Sequence, residues 1–245
     1  MVQYSNLNSV IEHVKRHAVY SLIAICCMTT SCAYYPRLTG IPLIKEKGDT
    51  RIEGGLTFMP PNFQASVSHG ATDNIAIQVA GTANYEGYYG HVAIGHYNNI
   101  EDRMVMEFYG GFGYGYSDAY KSSTGGRLNG NFQNYFAQFN FGNIERNKAN
   151  LEYGLGVKLG YWASKMTDNN YFVFHEQNKP LPVHNLNGIF AEPTVFMRLG
   201  GPKLKFHAAL GGCWWFQLTN TDKELPWWPI NIGIGLSYSF GGVSK

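Results

Sequence analysis

Residues 151–161 read Leu-Glu-Tyr-Gly-Leu-Gly-Val-Lys-Leu-Gly-Tyr. Every odd-numbered position in this stretch is aliphatic or aromatic, whereas every even-numbered position is glycine or charged. A period of two is typical of a β-strand, because successive side chains of a strand point to opposite faces of the sheet. We therefore predict a strand here with one apolar face and one face of small and charged residues.

The same alternation recurs on both sides of this stretch. Together with residues 151–161, it predicts ten strands, the other nine lying at residues 51–58, 63–68, 75–80, 91–95, 103–112, 134–141, 189–199, 204–214 and 230–240. The predicted connections alternate as well. Compact, turn-like ones fall at residues 70–74, 98–102, 142–150 and 200–202, and longer ones at residues 83–87, 115–131, 163–187 and 217–228. An even strand count with short turns on one side is typical of single-chain outer-membrane barrels.

Composition excludes several other classes of protein. The 245 residues are 44% hydrophobic and 15% charged, with 29 glycines, yet no apolar run approaches the ~18 residues that a membrane-spanning helix needs. The hydrophobic and aromatic content argues against disorder. A net charge of +2 with scattered basic residues gives no basis for a nucleic-acid partner.

Alternation alone leaves two orientations of the strands open. A soluble, lipocalin-like barrel would place the apolar face inside, whereas a membrane barrel would place it outside. We favour the membrane form because the polar face is rich in glycine, alanine and serine, which suits a narrow lumen. The apolar face also carries aromatic residues towards the strand ends, as an interfacial girdle does. The predicted fold class is thus an all-β, antiparallel transmembrane β-barrel of about ten strands.

Charged residues on the polar face have mixed signs. Facing one another across a lumen of low dielectric constant, they would neutralise in ion pairs. The predicted lumen ion-pair residues are Arg51, Glu53, Arg103, Glu107, Glu152, Lys158, Glu192, Arg198 and Lys205.

The N-terminal residues 1–31 have the organisation of an export signal. Basic residues 15–17 precede an apolar run of eleven residues, which is too short to span a bilayer. Small residues then lead to Cys32, and this arrangement resembles the lipobox at which signal peptidase II cleaves and the cysteine is acylated. Cleavage after Ala33 by the ordinary small-x-small rule is the alternative.

This interpretation divides the chain into a signal, a tether and a barrel. Residues 32–49 would form a periplasmic tether with a lipid anchor at Cys32, and residues 50–245 would form the barrel. Cys213 would then be the one cysteine left in the mature barrel, so we predict neither a disulfide framework nor a metal cluster.

The last strand carries a resemblance to a known class of protein. Ile232 to Phe240, with alternating Tyr238 and Phe240, resembles the C-terminal signal that the barrel-assembly machinery reads, although five residues follow it here. Residues 68–74 resemble the Gly-x-Thr-Asp periplasmic turn. Over residues 50–240 the chain therefore resembles the small outer-membrane β-barrel proteins of Gram-negative bacteria. This resemblance implies an outer-membrane location, with outer-membrane lipid, the barrel-assembly machinery and other envelope proteins as partners.

One proline interrupts the alternation, and two residues of a predicted loop are candidates for chemistry. Pro193 falls within the eighth strand, where we predict a bulge or a strand start nearer Thr194. In the longest predicted loop, His175 and Asp168 are candidates for loop-based chemistry, but their spacing matches no catalytic motif.

We therefore expect a non-enzymatic protein without a cofactor, in a structural or binding role such as that of an accessory subunit in an envelope assembly. The alternatives are a narrow channel for small or apolar solutes and a loop-based enzyme that cleaves lipid or peptide.

Overall fold

The computed structural model describes residues 40–58, 61–100, 103–121, 126–144, 150–169, 181–219 and 229–241. The predicted signal and Cys32 lie outside these residues, as does His175. Within the described ranges, no helix has the length and apolar character needed to cross a membrane.

The described residues form eleven antiparallel strands in one sheet. The strands are β1 (Thr50–Phe58), β2 (Pro61–Gly70), β3 (Ile75–Asn84), β4 (Gly87–Ile100), β5 (Met104–Lys121), β6 (Gly126–Asn143), β7 (Glu152–Asp168), β8 (Val183–Gly200), β9 (Leu204–Gly212), β10 (Trp214–Gln217) and β11 (Ile230–Phe240). Each strand from β1 to β8 pairs with the next, β9 pairs with both β8 and β11, and β11 pairs with β1. Since β9 and β10 are one strand interrupted at Cys213, this is a closed ten-strand antiparallel barrel, and the predicted fold class is confirmed.

The interruption at Cys213 lies beside Pro193. Thr194 opposes Gly211 and Ala191 opposes Trp214, so the register is unchanged across the gap and no bulge is present between these pairs. The predicted bulge or late strand start at Pro193 is therefore wrong, because β8 runs without a break through this residue. Proline lacks an N–H group, and it thus leaves a gap in the hydrogen bonding between the strands. The Cys213 N–H instead donates to the carbonyl oxygen of Pro229, at 2.8 Å.

One end of the barrel carries the compact turns, and we call it the turn end; the opposite end is the loop end. At the loop end, the long connection predicted over residues 115–131 is wrong. β5 continues to Lys121 and β6 begins at Gly126, so strands fill most of this range. Likewise, β3 and β4 are joined by two residues, Tyr85 and Glu86.

The outer face of the barrel is apolar over a broad band. Leu155 and Leu159 on β7 are 42% and 55% exposed, and Tyr153 and Tyr161 lie outward at the two ends of this apolar stretch. At ~3.3 Å per residue and a tilt of about 40°, the eight steps from Tyr153 to Tyr161 span roughly 20 Å. A band of this height is close to the ~25 Å expected for a membrane barrel.

Beyond the band, towards the loop end, the polarity of the two faces reverses. Gln133 and Lys165 follow Tyr135 and Tyr161 on the outer face and are exposed to solvent. The inner face there holds a buried apolar cluster, which includes Leu128, Phe132, Trp162, Met166, Leu186 and Phe190. The reversal explains the mistaken loop over residues 115–131, because the apolar residues of the strands there face the lumen and not the outside.

Inward-facing glycines make room for the aromatic rings of the lumen. A Cβ atom at Gly111 would collide with the Phe136 ring, and one at Gly160 would lie 2.6 Å from Cε1 of Phe190. Gly188 has the same relation to Trp215, again at 2.6 Å. Ring packing thus explains why these three positions are glycine.

Two adjacent glycines on β5 allow a direct test of this packing. A Cβ at Gly110 would meet nothing within 4 Å, whereas one at Gly111 would also lie 2.7 Å from the Val92 carbonyl oxygen. We expect Gly110→Ala to stabilise the barrel by about 0.5–1 kcal/mol and Gly111→Ala to destabilise it by about 1–3 kcal/mol. Urea unfolding in detergent micelles would measure both changes, and equal effects of the two substitutions would contradict the assignment of faces.

Candidate functional site in the barrel lumen

A segment outside the strands enters the lumen from the turn end. Residues 40–49, which we name the lumen strap, belong to the part of the chain for which the sequence predicts a periplasmic tether. The side chains of Ile41, Leu43 and Ile44 are 5%, 0% and 0% exposed, so this part of the expected tether lies inside the barrel. The apolar run from Ile41 to Ile44 was the available signal, and the sequence analysis did not use it.

Lumen side chains bind the first backbone groups of the strap. The carbonyl oxygen of Gly40 accepts hydrogen bonds from Nε2 of Gln78 at 3.0 Å and from Nε2 of Gln138 at 2.6 Å. The N–H of Gly40 donates to the Glu53 carboxylate at 3.4 Å, and the carbonyl oxygen of Ile41 accepts from Arg198. These four side chains come from β3, β6, β1 and β8, so the strap contacts distant parts of the barrel wall.

Glu107 binds the other end of the apolar run. Its carboxylate accepts the Ile44 N–H at 2.7 Å, Nδ2 of Asn140 at 2.8 Å and the Tyr109 hydroxyl at 3.3 Å. These three donors to the buried Glu107 carboxylate are uncharged groups, although the sequence analysis grouped Glu107 with ion pairs. The strap supplies one of the three donors.

An ion-pair cluster surrounds the strap. Glu152 lies 2.6 Å from Nη1 of Arg51, 2.5 Å from Nζ of Lys205 and 3.5 Å from Nη1 of Arg198. Arg198 also pairs with Glu53 at 2.6 Å. These five side chains, which we name the lumen charge cluster, are all buried and come from β1, β7, β8 and β9. The structure thus brings together five of the nine predicted ion-pair residues.

The other predicted ion-pair residues lie in different surroundings. Lys158 and Glu192 approach each other at 3.8 Å, and the Lys158 ammonium group also lies 4.8 Å from the centre of the Phe136 ring. Arg103 does not enter the lumen, because it lies in the turn before β5 with an exposed side chain. The expectation that Arg103 is a lumen residue is therefore wrong. The predicted strand began at Arg103, whereas β5 begins one residue later, at Met104.

An aromatic layer fills the lumen towards the loop end. The rings of Tyr89 and Phe132 stack at 5.7 Å, Phe132 lies 5.3 Å from Trp162, and Trp162 meets Trp215 edge-on at 5.1 Å. The Tyr89 hydroxyl donates to Oδ1 of Asn134 at 2.8 Å. Trp162 and Phe136 belong to one continuous buried core, which the sequence analysis did not predict.

Two small cavities lie between the described groups of the lumen. A cavity beside Ile41 and Gln138 measures about 10 Å³, and a second one beside Gln64 and His207 also measures about 10 Å³. Either volume is about the minimum that one water molecule requires. Over the described part of the chain, no group of three His, Cys, Asp or Glu side chains is arranged to hold a metal ion.

The remaining sequence-predicted residues lie away from the lumen strap. Tyr238 and Phe240 face outward near the turn end, with ring centres 5.8 Å apart. Asp168 is buried at the loop end of β7, and Cys213 is buried in the apolar cluster.

Comparisons with known proteins give little further information. No family model matches the chain, and no curated protein is significantly similar to it. Among solved structures, it is similar to the N-terminal β-barrel domain of Pseudomonas aeruginosa OprF, with 12% sequence identity and a TM-score of 0.35. That match covers 80% of this chain and 100% of the other. At this identity and TM-score, the assignment of the fold as a closed antiparallel barrel rests on the strand pairing described above.

Proposed function

We propose that this chain is a non-enzymatic β-barrel of a Gram-negative outer membrane with a structural or binding role. The observation that carries the proposal is the filling of the lumen at two levels. The strap and the charge cluster occupy the turn-end half, and the aromatic layer occupies the loop-end half. A water-filled channel would need space that these groups take up, and ten strands enclose little space to begin with.

The outer face supports the membrane location. Exposed aliphatic and aromatic side chains cover every strand over the height of the apolar band, and such a surface would be costly in water. In this arrangement the turn end lies in the periplasm and the loop end outside the cell. The lipid anchor at Cys32 and the assembly signal at Tyr238 and Phe240 stay predictions within this proposal.

Planar-bilayer recording of the purified chain tests the role. We expect the protein to show heat-modifiable gel mobility, as folded membrane barrels do, and to give no discrete conductance steps. Omitting the boiling step provides the folded control on the same gel. Regular single-channel steps from the folded protein would replace this proposal with the channel function, and a soluble protein without a mobility shift would remove the membrane location.

A further inference from the structure

We propose that the turn-end half of the lumen is a binding site for a short peptide that lies outside the strands of the barrel. The lumen strap occupies this site in cis, and the same sequence supplied in trans binds there when the strap is displaced. The inference deepens the proposed binding role and rests on it. It identifies the ligand class as a peptide in which aliphatic residues follow a small residue at the first, third and fourth positions, as Ile41, Leu43 and Ile44 follow Gly40.

Each of the three aliphatic side chains of the strap lies against one glycine of the barrel wall. A Cβ at Gly142 would lie 2.5 Å from Cδ1 of Leu43, and one at Gly156 would lie 2.7 Å from Cδ1 of Ile41. A Cβ at Gly70 would lie 2.9 Å from Cγ2 of Ile44. The barrel wall thus lacks a side chain at the points where the strap places its own. We name these three residues the glycine sockets.

The wall also recognises the strap backbone. Gln78, Gln138, Glu53, Arg198 and Glu107 all bind main-chain groups of residues 40–44, as described above. Main-chain hydrogen bonds combined with pockets for spaced side chains are the usual basis of extended-peptide recognition. In β-strand addition the main-chain partners are backbone groups, whereas here they are side chains from five strands.

The backbone of the strap is held in a strained conformation. Leu43 has a φ of 53°, in the left-handed region that bulky residues rarely adopt. Such a conformation is unfavourable for leucine and persists when the surroundings impose it. Leu43 is fully buried against its socket, so the surroundings hold its backbone in this conformation. A peptide that binds the site therefore has to adopt the same conformation.

Peptide binding to a strap-displaced chain tests the proposal. The full-length variant Leu43→Asp/Ile44→Asp displaces the strap, because two carboxylates cannot occupy apolar sockets. A fluorescein-labelled peptide with the sequence of residues 38–49 is then titrated against the refolded variant and the wild-type protein in detergent. We expect saturable binding to the variant and none to the wild type, whose site is already filled. Absence of binding to a folded variant overturns the proposal.

A matched pair of changes shows whether the peptide enters the sockets. Among the nearest neighbours of a Cβ at Gly156 are Ile41 atoms and Oδ1 of Asn140, so Gly156→Ala narrows the socket without meeting backbone. In the displaced background we expect Gly156→Ala to weaken peptide binding about tenfold. A peptide with alanine in place of Ile41 should bind both chains alike, because it lacks the side chain that meets the new methyl group. Equal weakening for both peptides overturns the socket assignment.

Heat-modifiable mobility identifies the chains that have folded. If the double aspartate variant does not fold, the milder Leu43→Ala/Ile44→Ala chain replaces it, since small side chains leave the sockets empty without adding charge. Peptide binding and conductance are separate measurements. Failure of the peptide to bind therefore leaves the proposed non-channel role standing, and conductance steps contradict that role whatever the peptide does.

Discussion

Replacing Glu152 with glutamine is expected to destabilise the barrel by about 3–5 kcal/mol. The substitution keeps the shape of the side chain but removes the one carboxylate that contacts three buried cations, Arg51, Lys205 and Arg198. Those cations would then repel one another in a lumen with little water to screen them. Removing one partner of a buried ion pair is destabilising because it leaves the other charge buried without compensation, even where the intact pair itself contributes little to stability.

Glu192→Gln is the matched control for this change. Glu192 is also a buried lumen carboxylate, but its pair with Lys158 is longer, at 3.8 Å, and Lys158 keeps its contact with the Phe136 ring. We expect a clearly smaller loss of stability from this variant. Urea unfolding in lipid vesicles, followed by tryptophan fluorescence, would measure both. Similar losses for the two variants would contradict the central role given to Glu152.

Leu155→Arg is the substitution with the next largest expected effect. Leu155 lies outward within the apolar band, two residues from Tyr153, so arginine there would place a charge in the hydrocarbon. Such a charge costs a membrane barrel about 2–4 kcal/mol at the bilayer midplane and less towards the interfaces, so we expect a loss of about 2 kcal/mol. Refolding yield and unfolding free energy in vesicles would report the loss.

The control for Leu155→Arg changes size at the same position without adding charge. Leu155→Phe should be nearly neutral, because lipid accommodates either side chain. The neighbouring Gly154 is unsuitable as an inward control, since a Cβ there would lie 2.7 Å from Cα of Gly142 on the next strand. If arginine and phenylalanine were tolerated equally at position 155, the outer face would not contact lipid.

Alternation predicted the barrel because it is a local property of each strand. The face on which Leu155 or Glu152 lies follows from its odd or even position in the strand, whichever strand lies beside it. The ten predicted segments therefore overlap the strands of the closed sheet. Parity also indicated which charged residues face inward. It could not show that Glu152 would meet Arg51 and Arg198, because such contacts depend on the closure and stagger of the barrel.

The strap was missed for a different reason. Its apolar run spans four residues, has no period and lies within the segment interpreted as a tether. Its burial depends on glycines 26 to 115 positions further along the sequence, Gly70, Gly142 and Gly156. The aromatic layer was missed because apolar residues there belong to the opposite parity from those in the band. A pattern search that permits the polarity to reverse along one strand would have found it.

The reversal of polarity also determines which bilayers suit this protein. Tyr135 and Tyr161 mark the edge of the apolar band, and Gln133 and Lys165 follow two and four residues beyond. In a thicker hydrocarbon layer, these polar side chains would be drawn below the headgroups, and the membrane would have to thin around the barrel. Tilting of the barrel would reduce this mismatch little, because the apolar band and the polar residues beyond it belong to one rigid sheet. Hydrophobic mismatch would thus confine the protein to thin membranes. The strand segments responsible are those at the loop end, where the outer face is polar and the inner face is apolar, as in a water-soluble protein.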